Sequence, residues 1–529
     1  MKKFDRLRKK FPAPLSIWLA ILSAILLVLA FPGFEIWLFA WFALVPLFFA
    51  INKEKNSTFA SFILGWIFGI CFFFGSCWWL TYAPITYAKF PILLAYFLLF
   101  CATLVVGFFP AVFAGLFSIL LKRYGNYAIF SAPFLWTAIE FLRFWIIGNN
   151  WNEIAYSQVF ANNLIQSAKF GGIYLLGFQI VAFNSAIFLI FLSLFSSFAA
   201  FSEKEISRRN SYICSVVFIL LFSLPFVTFK TSTQNTETYN KTTVIAVQPN
   251  VPMSGLTEES WSKLRKRHIE LAENSVSKSR EQNPSNQEQT TVIFPESPMN
   301  FMYESDEEFQ NFVGDFARKN NVSVLFNAAE PDAENNMFFN SAVMVNADGK
   351  KIAQYDKIYL VPFGESVPAP LQNFMPALVG SFSYGKEYDL LPFGDARGGV
   401  MICFESHFPN LSREYVRNGA DVLIEMTNDG YLGNTPVLRQ HLANAVFRAV
   451  ETNRPVLRVT NVGITAYINE RGEISDAADV YTEATRTWTI SKSNGEQTFY
   501  VRFGDWFAWF CIFVSLVLLI FAILKRKSV

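Results

Sequence analysis

Long uninterrupted apolar runs occupy most of the first 230 positions and return at the end of the chain. They lie near Leu15 to Phe31, Phe34 to Ile51, Ala60 to Leu80, Ile92 to Leu121, Tyr127 to Ile147, Ile173 to Ala200, Tyr212 to Phe229 and Phe503 to Leu524. Crossing about 30 Å of hydrocarbon takes about 20 helical residues, so the pattern predicts eight membrane spans. The fourth run is long and holds Pro110, which predicts a kink or strong tilt.

Between the seventh and eighth runs the pattern changes. Short strand-like runs recur at Thr243 to Gln248, Thr291 to Phe294, Val322 to Asn327, Ser341 to Val345, Gly399 to Cys403, Val422 to Glu425 and Pro455 to Thr460. Amphipathic stretches at Glu258 to Ser277, Glu307 to Lys319 and Val437 to Glu451 read as helices between them. A layered α/β domain follows, with active residues expected at strand ends. The boundaries predicted are a seven-span bundle over 1–229, a domain over 230–502, and an eighth span with a basic tail over 503–529.

Composition supports a membrane protein. The 529 residues are 52% hydrophobic and 16% charged, against roughly 45–50% and about 25% in soluble domains. The net charge of +2 is too small to argue for a nucleic-acid partner. The basic residues are instead sorted by segment. One set of segments carries sixteen: Lys2, Lys3, Arg6, Arg8, Lys9, Lys10, Lys53, Lys55, Lys122, Arg123, Lys204, Arg208, Arg209, Lys525, Arg526 and Lys527. The opposite short loops carry Lys89 and Lys169. By the positive-inside rule both termini are cytoplasmic and 230–502 faces outward. The first run has a basic leader but no small-x-small cleavage site, so it reads as an uncleaved anchor.

Five of the six cysteines lie in apolar runs, and only Cys403 stands in polar sequence. A thiol without a partner cannot form a structural disulfide, which leaves a buried packing residue or a nucleophile. Glu296 ends the run Thr291-Val-Ile-Phe-Pro-Glu-Ser-Pro298 and is a candidate general base or an ordinary strand-end carboxylate. Lys357 and Glu365 bracket an apolar loop punctuated by Pro362 and Gly364. Of the three histidines, His268 and His441 fall on helical stretches, leaving His407 near the cysteine as the partner a Cys–His protease would need. No Cys/His spacing suits zinc, and no glycine-rich phosphate loop occurs, so no metal or cofactor is expected. Within the fifth run, Glu140 and Arg143 are spaced to neutralise one another or to bind a lipid head group.

Glu296, Lys357 and Cys403, in that order and each in its own motif, resemble the Glu-Lys-Cys triad of the nitrilase superfamily. With the seven-plus-one spans, the whole chain is similar to the apolipoprotein N-acyltransferase family. Further matching pieces are Phe39-Ala-Trp-Phe-Ala-Leu-Val-Pro46, Asn150-Trp151, Tyr156-Ser-Gln158, Val247-Gln-Pro-Asn250, Thr427-Asn-Asp429 and Arg458-Val-Thr-Asn461. Gly430-Tyr-Leu-Gly433 departs from that pattern, as does the first tryptophan after Pro252 standing as late as Trp261.

The resemblance implies an αββα nitrilase-like domain on the periplasmic side of a bacterial inner membrane. It implies acyl transfer from a phospholipid, through a thioester on Cys403, to the amine of a diacylglyceryl apolipoprotein. Glu296 is then the base and Lys357 the oxyanion donor, with the Phe404 N–H as second donor and Glu365 and Glu405 in support. The apolar segment Leu371 to Phe382, with Phe374, Met375 and Phe382, reads as a membrane-dipping lid or as a piece docked on the bundle. A tethered amidase and a non-catalytic lipid-binding scaffold are the alternatives.

Overall fold

The computed structural model describes residues 11–195, 241–282, 289–296, 302–367 and 382–524. The chain divides into two compact units, Met1–Ser232 with Phe503–Val529, and Thr233–Arg502.

The first unit is helical. Its main helices are Pro14–Ala30, Val45–Glu54, Thr58–Ser76, Ile92–Val106, Phe108–Tyr124, Ala132–Ile147, Ala168–Phe195 and Trp506–Leu524. Five apolar helical stretches among the described residues are long enough to cross a membrane, and Pro14–Ala30 is a shorter apolar helix. The expected second span is not one helix. A 3₁₀ turn, Trp37–Trp41, precedes the ten-residue helix Val45–Glu54, which has Pro46 in its first turn, where the missing N–H costs nothing. The fourth span breaks at Gly107, one turn before Pro110, because proline has no N–H for the carbonyl of Val106. Small residues also meet at this break: a Cβ on Gly69 would lie 2.7 Å from the Gly107 Cα, and one on Gly65 2.6 Å from the Ala114 Cβ. Backbones that close need glycine, as at other small-residue helix crossings in membranes. The expected span Tyr212 to Phe229 and the basic residues at both ends of the chain lie outside the described residues.

The second unit is a four-layer sandwich. Strands β1 (Lys241–Gln248), β2 (Thr290–Ile293), β3 (Ser323–Asp332), β4 (Met337–Val345), β5 (Lys351–Asp356), β6 (Phe382–Ser383) and β13 (Ala484–Ser491) form one sheet, ordered β13-β1-β2-β3-β4-β5 with β6 beside β4. Strands β7 (Leu390–Phe393), β8 (Ala396–Ile402), β9 (Val422–Thr427), β10 (Val456–Thr460), β11 (Ala466–Ile468) and β12 (Ile474–Ser475) form the other, ordered β12-β11-β10-β9-β8-β7. The helices Glu258–Gln282 and Glu307–Asn320 cover the first sheet, and Pro409–Arg417 and Val437–Thr452 cover the second. This is the αββα arrangement. Parallel pairing of β1 with β2, β2 with β3, β8 with β9 and β9 with β10 leaves these central strands covered on both faces. They therefore read in sequence as continuous apolar runs.

Candidate active site

Cys403 is placed by a strand that stops. β8 is buried from Gly398 to Ile402, and the chain then enters a 3₁₀ turn over Cys403–His407 followed by the helix Pro409–Arg417. Cys403 sits at φ +53°, a left-handed conformation that costs a non-glycine residue about 1–3 kcal/mol and collects at functional turns. The residue as a whole is partly exposed. Burial, then the Glu296 carboxylate, push the pKa of its thiol well above the ordinary value.

Glu296 ends the segment after β2, and its Oε2 accepts from the Asn428 N–H at 3.1 Å. Burial raises its pKa, partly offset by the Lys357 ammonium. Lys357 is fully buried at the end of β5, its Nζ 2.8 Å from Glu365 Oε1 and 3.6 Å from Glu296 Oε1. Burial alone would lower its pKa, but those two carboxylates override it and hold the ammonium charged. The structure thus brings together Glu296, Lys357, Glu365 and Cys403 from three separate stretches of sequence.

Glu405 lies in the turn and not along the strand. Its Oε2 accepts from the Ile402 N–H at 2.8 Å, and its Oε1 accepts from the Tyr355 hydroxyl and the N–H groups of Ile358 and Tyr359 at 2.7, 2.7 and 3.1 Å. One carboxylate therefore ties the lysine loop to the cysteine turn, although burial pushes its pKa up to about 7. Phe404 packs its ring on His407 and Phe408 at centroid distances of 4.9 and 5.2 Å.

Two residues near the reacting groups carry no sequence signal of their own. Asn340 on β4 donates through one Nδ2 to Glu296 at 3.1 Å and to Glu365 at 2.7 Å, while its Oδ1 accepts from Asn327 at 2.6 Å, which fixes the amide orientation. His441, and not His407, reaches Cys403 itself: its Nε2 is 3.1 Å from the Cys403 carbonyl oxygen. His407 faces away, with Nδ1 on the Phe404 carbonyl at 2.9 Å and Nε2 at 3.0 Å from Asn444, so the protease-like Cys–His pairing does not form. Sequence spacing alone places His441 on a helix and gives it no role. Its helix is buried along its whole length, which helical periodicity alone does not reveal.

The remaining residues singled out above are elsewhere. Glu140 accepts from the Ile154 N–H at 2.9 Å and Arg143 donates to the Trp151 carbonyl at 2.7 Å, so each secures the 151–154 segment. Phe382 begins β6, paired with Phe338, whereas Phe374 and Met375 lie outside the described residues.

The comparisons with known proteins match this layout. Residues 23–186 fit the model of the apolipoprotein N-acyltransferase N-terminal domain, and 235–500 fit that of the carbon-nitrogen hydrolases. A relative from Geobacter metallireducens named apolipoprotein N-acyltransferase is 31% identical over 519 residues, 97% of this chain and 96% of the relative. The chain belongs to the apolipoprotein N-acyltransferase family. It is an acyltransferase of the carbon-nitrogen hydrolase superfamily. A family member from Thermotoga maritima with the same name is 29% identical, covering 95% of this chain and 93% of that one. Among solved structures, a carbon-nitrogen hydrolase from Helicobacter pylori is 18% identical over 50% of this chain and 92% of its own, with a TM-score of 0.38. In family terms the carbon-nitrogen hydrolase match contains all of Glu296, Lys357, Glu365, Cys403 and Glu405.

Proposed function

We propose that this enzyme transfers a fatty acyl chain from a membrane phospholipid to the amino terminus of a diacylglyceryl-cysteine lipoprotein, through a thioester on Cys403. The observation that carries the reading is the buried Lys357, flanked by the carboxylates of Glu296 and Glu365. Full-length similarity to relatives named apolipoprotein N-acyltransferase supports the substrate class.

Glu296 takes the proton of the thiol, and the thiolate attacks the ester carbonyl of the phospholipid. The raised pKa of Glu296 brings it closer to that of the thiol, which makes the transfer less uphill. Lys357 and the Phe404 N–H stabilise the tetrahedral oxyanion, a role in which losing one donor commonly costs about 10²–10³ in rate. The carbon–oxygen bond breaks, Glu296 returns the proton to the leaving alkoxide, and a lysophospholipid departs. The free amine of the acceptor then attacks the thioester, its proton passes by way of Glu296, and cleavage of the carbon–sulfur bond restores the thiol. An outward-facing enzyme has no dependable supply of ATP or acyl-CoA, so an ester already in the bilayer suits the donor. The amide product is more stable than either ester, which drives the sequence.

Glu365 holds Lys357, and Glu405 holds the lysine loop against the nucleophile turn. Residues 1–229 form seven spans and 503–529 the eighth, with both termini cytoplasmic and 230–502 periplasmic at the bacterial inner membrane. Glu140 and Arg143 orient a phospholipid head group. Cys403→Ala and Cys403→Ser variants test the assignment. Both are expected to lose N-acylation of a diacylated lipopeptide by at least about 10³-fold, as removal of a covalent nucleophile commonly does; near-normal turnover by either one sinks it.

A further inference from the structure

The two-step reaction uses none of the four charged residues packed beneath the nucleophile. Glu425 on β9, Asp429 in the turn after it, Arg458 on β10 and His441 on the helix Val437–Thr452 are all buried. Arg458 pairs with Glu425, and with Asp429 Oδ2 at 2.8 Å. His441 Nδ1 lies 2.7 Å from Asp429 Oδ1, and its Nε2 lies 3.2 Å from Glu425 Oε1 and 3.1 Å from the Cys403 carbonyl oxygen. His407 stacks on the ring at a centroid distance of 5.3 Å.

Both ring nitrogens of His441 therefore face acceptors. A neutral imidazole has one N–H and would aim a lone pair at one of them, so both nitrogens must carry protons. The charge count agrees: two carboxylates balance one guanidinium and one imidazolium. A neutral ring leaves an uncompensated anion in a dry interior, a costly state.

We infer that His441 is a permanently charged imidazolium that clamps the carbonyl of Cys403, holding the nucleophile turn in place and favouring the thiolate and the tetrahedral anion beside it. It is a positioning residue, acting through the backbone carbonyl of Cys403. Its grip on the carbonyl opposes relaxation of the φ +53° backbone. Its charge offsets those of Glu296 and Asp429, which disfavour the thiolate. The groups facing the ring are Asp429, Glu425, Arg458, Cys403 and His407, and the Asp429 and Glu425 carboxylates hold its pKa at about 9, against burial and Arg458. The catalytic half of this inference rests on Cys403 as nucleophile, whereas the charge state of the ring stands by itself.

Two measurements on the full chain in detergent test it. The protein has only three histidines, so ring-¹⁵N labelling resolves them. One ring doubly protonated at pH 7.5, and absent from His441→Gln, is the expected result; three neutral rings at that pH overturn the inference. The second measurement is the pH dependence of Cys403 alkylation by iodoacetamide, with Cys403→Ala as background. Glutamine keeps a donor and loses the charge, so His441→Gln should move the midpoint up by about one unit, about tenfold slower alkylation at fixed pH. An unchanged midpoint overturns the inference, because a packing role alone predicts that result. If the glutamine variant does not fold, the wild-type ring spectrum decides. Thioester formation on wild-type Cys403 reports separately on the acyl-transfer reading.

Discussion

At the scale of single residues, the site is a problem of placing negative charge. Glu296 and Glu365 approach the same ammonium, and Asn340 relieves their repulsion with its two amide hydrogens. A general base must be ionised to act. Burial raises the pKa of Glu296, so acylation is expected to fall, as pH drops, above the ordinary carboxylate range near 4.3. Asn340→Ala removes a donor that favours the ionised form. The acid limb of the acylation rate should then move further up, with a loss of about 10–100-fold at neutral pH, as for hydrogen bonds to charged groups of about 1.5–3 kcal/mol. A pH–rate profile of single-turnover acylation checks both the limb and its shift. The sequence showed the residues that interrupt apolar runs, namely Glu296, Lys357, Glu365, Cys403 and Glu405. It did not show Asn340 or His441, which sit inside an ordinary strand and an ordinary helix and owe their role to partners far along the chain.

At the scale of elements, β8 and its turn place Cys403, the proposed nucleophile. A Cβ on Gly399 would lie 2.5 Å from the ring of Tyr415, whose hydroxyl is fixed on the Val400 carbonyl at 2.6 Å. The helix Pro409–Arg417 can approach the strand this closely only across glycine. Gly399→Ala is expected to cost about 1–3 kcal/mol through overpacking. That lowers the Tm by roughly 2–4 °C per kcal/mol, measurable by thermal unfolding, and lowers acylation with it. The buried parallel strands were legible because both faces are apolar. β5 and β13 were not, since β5 begins with two exposed residues and β13 alternates only over its second half. β7 was also missed, being four residues long with Pro392 inside it.

At the scale of the whole molecule, the proposed topology rests on apolar length and the sorting of sixteen basic residues. A fluorescent protein fused after Val529 should fold and fluoresce, and alkaline phosphatase at the same place should stay inactive; the reverse pattern refutes a cytoplasmic C-terminus. What apolar length could not convey is where a helix breaks, because Gly107 and Pro110 leave mean hydropathy nearly untouched while removing a backbone hydrogen bond. The central claim concerns one covalent bond. The direct measurement is the intact mass of the purified protein after incubation with phospholipid alone. A hydroxylamine-labile gain of one acyl chain mapping to Cys403 is the result this account predicts, and no gain, or a gain on another residue, contradicts it.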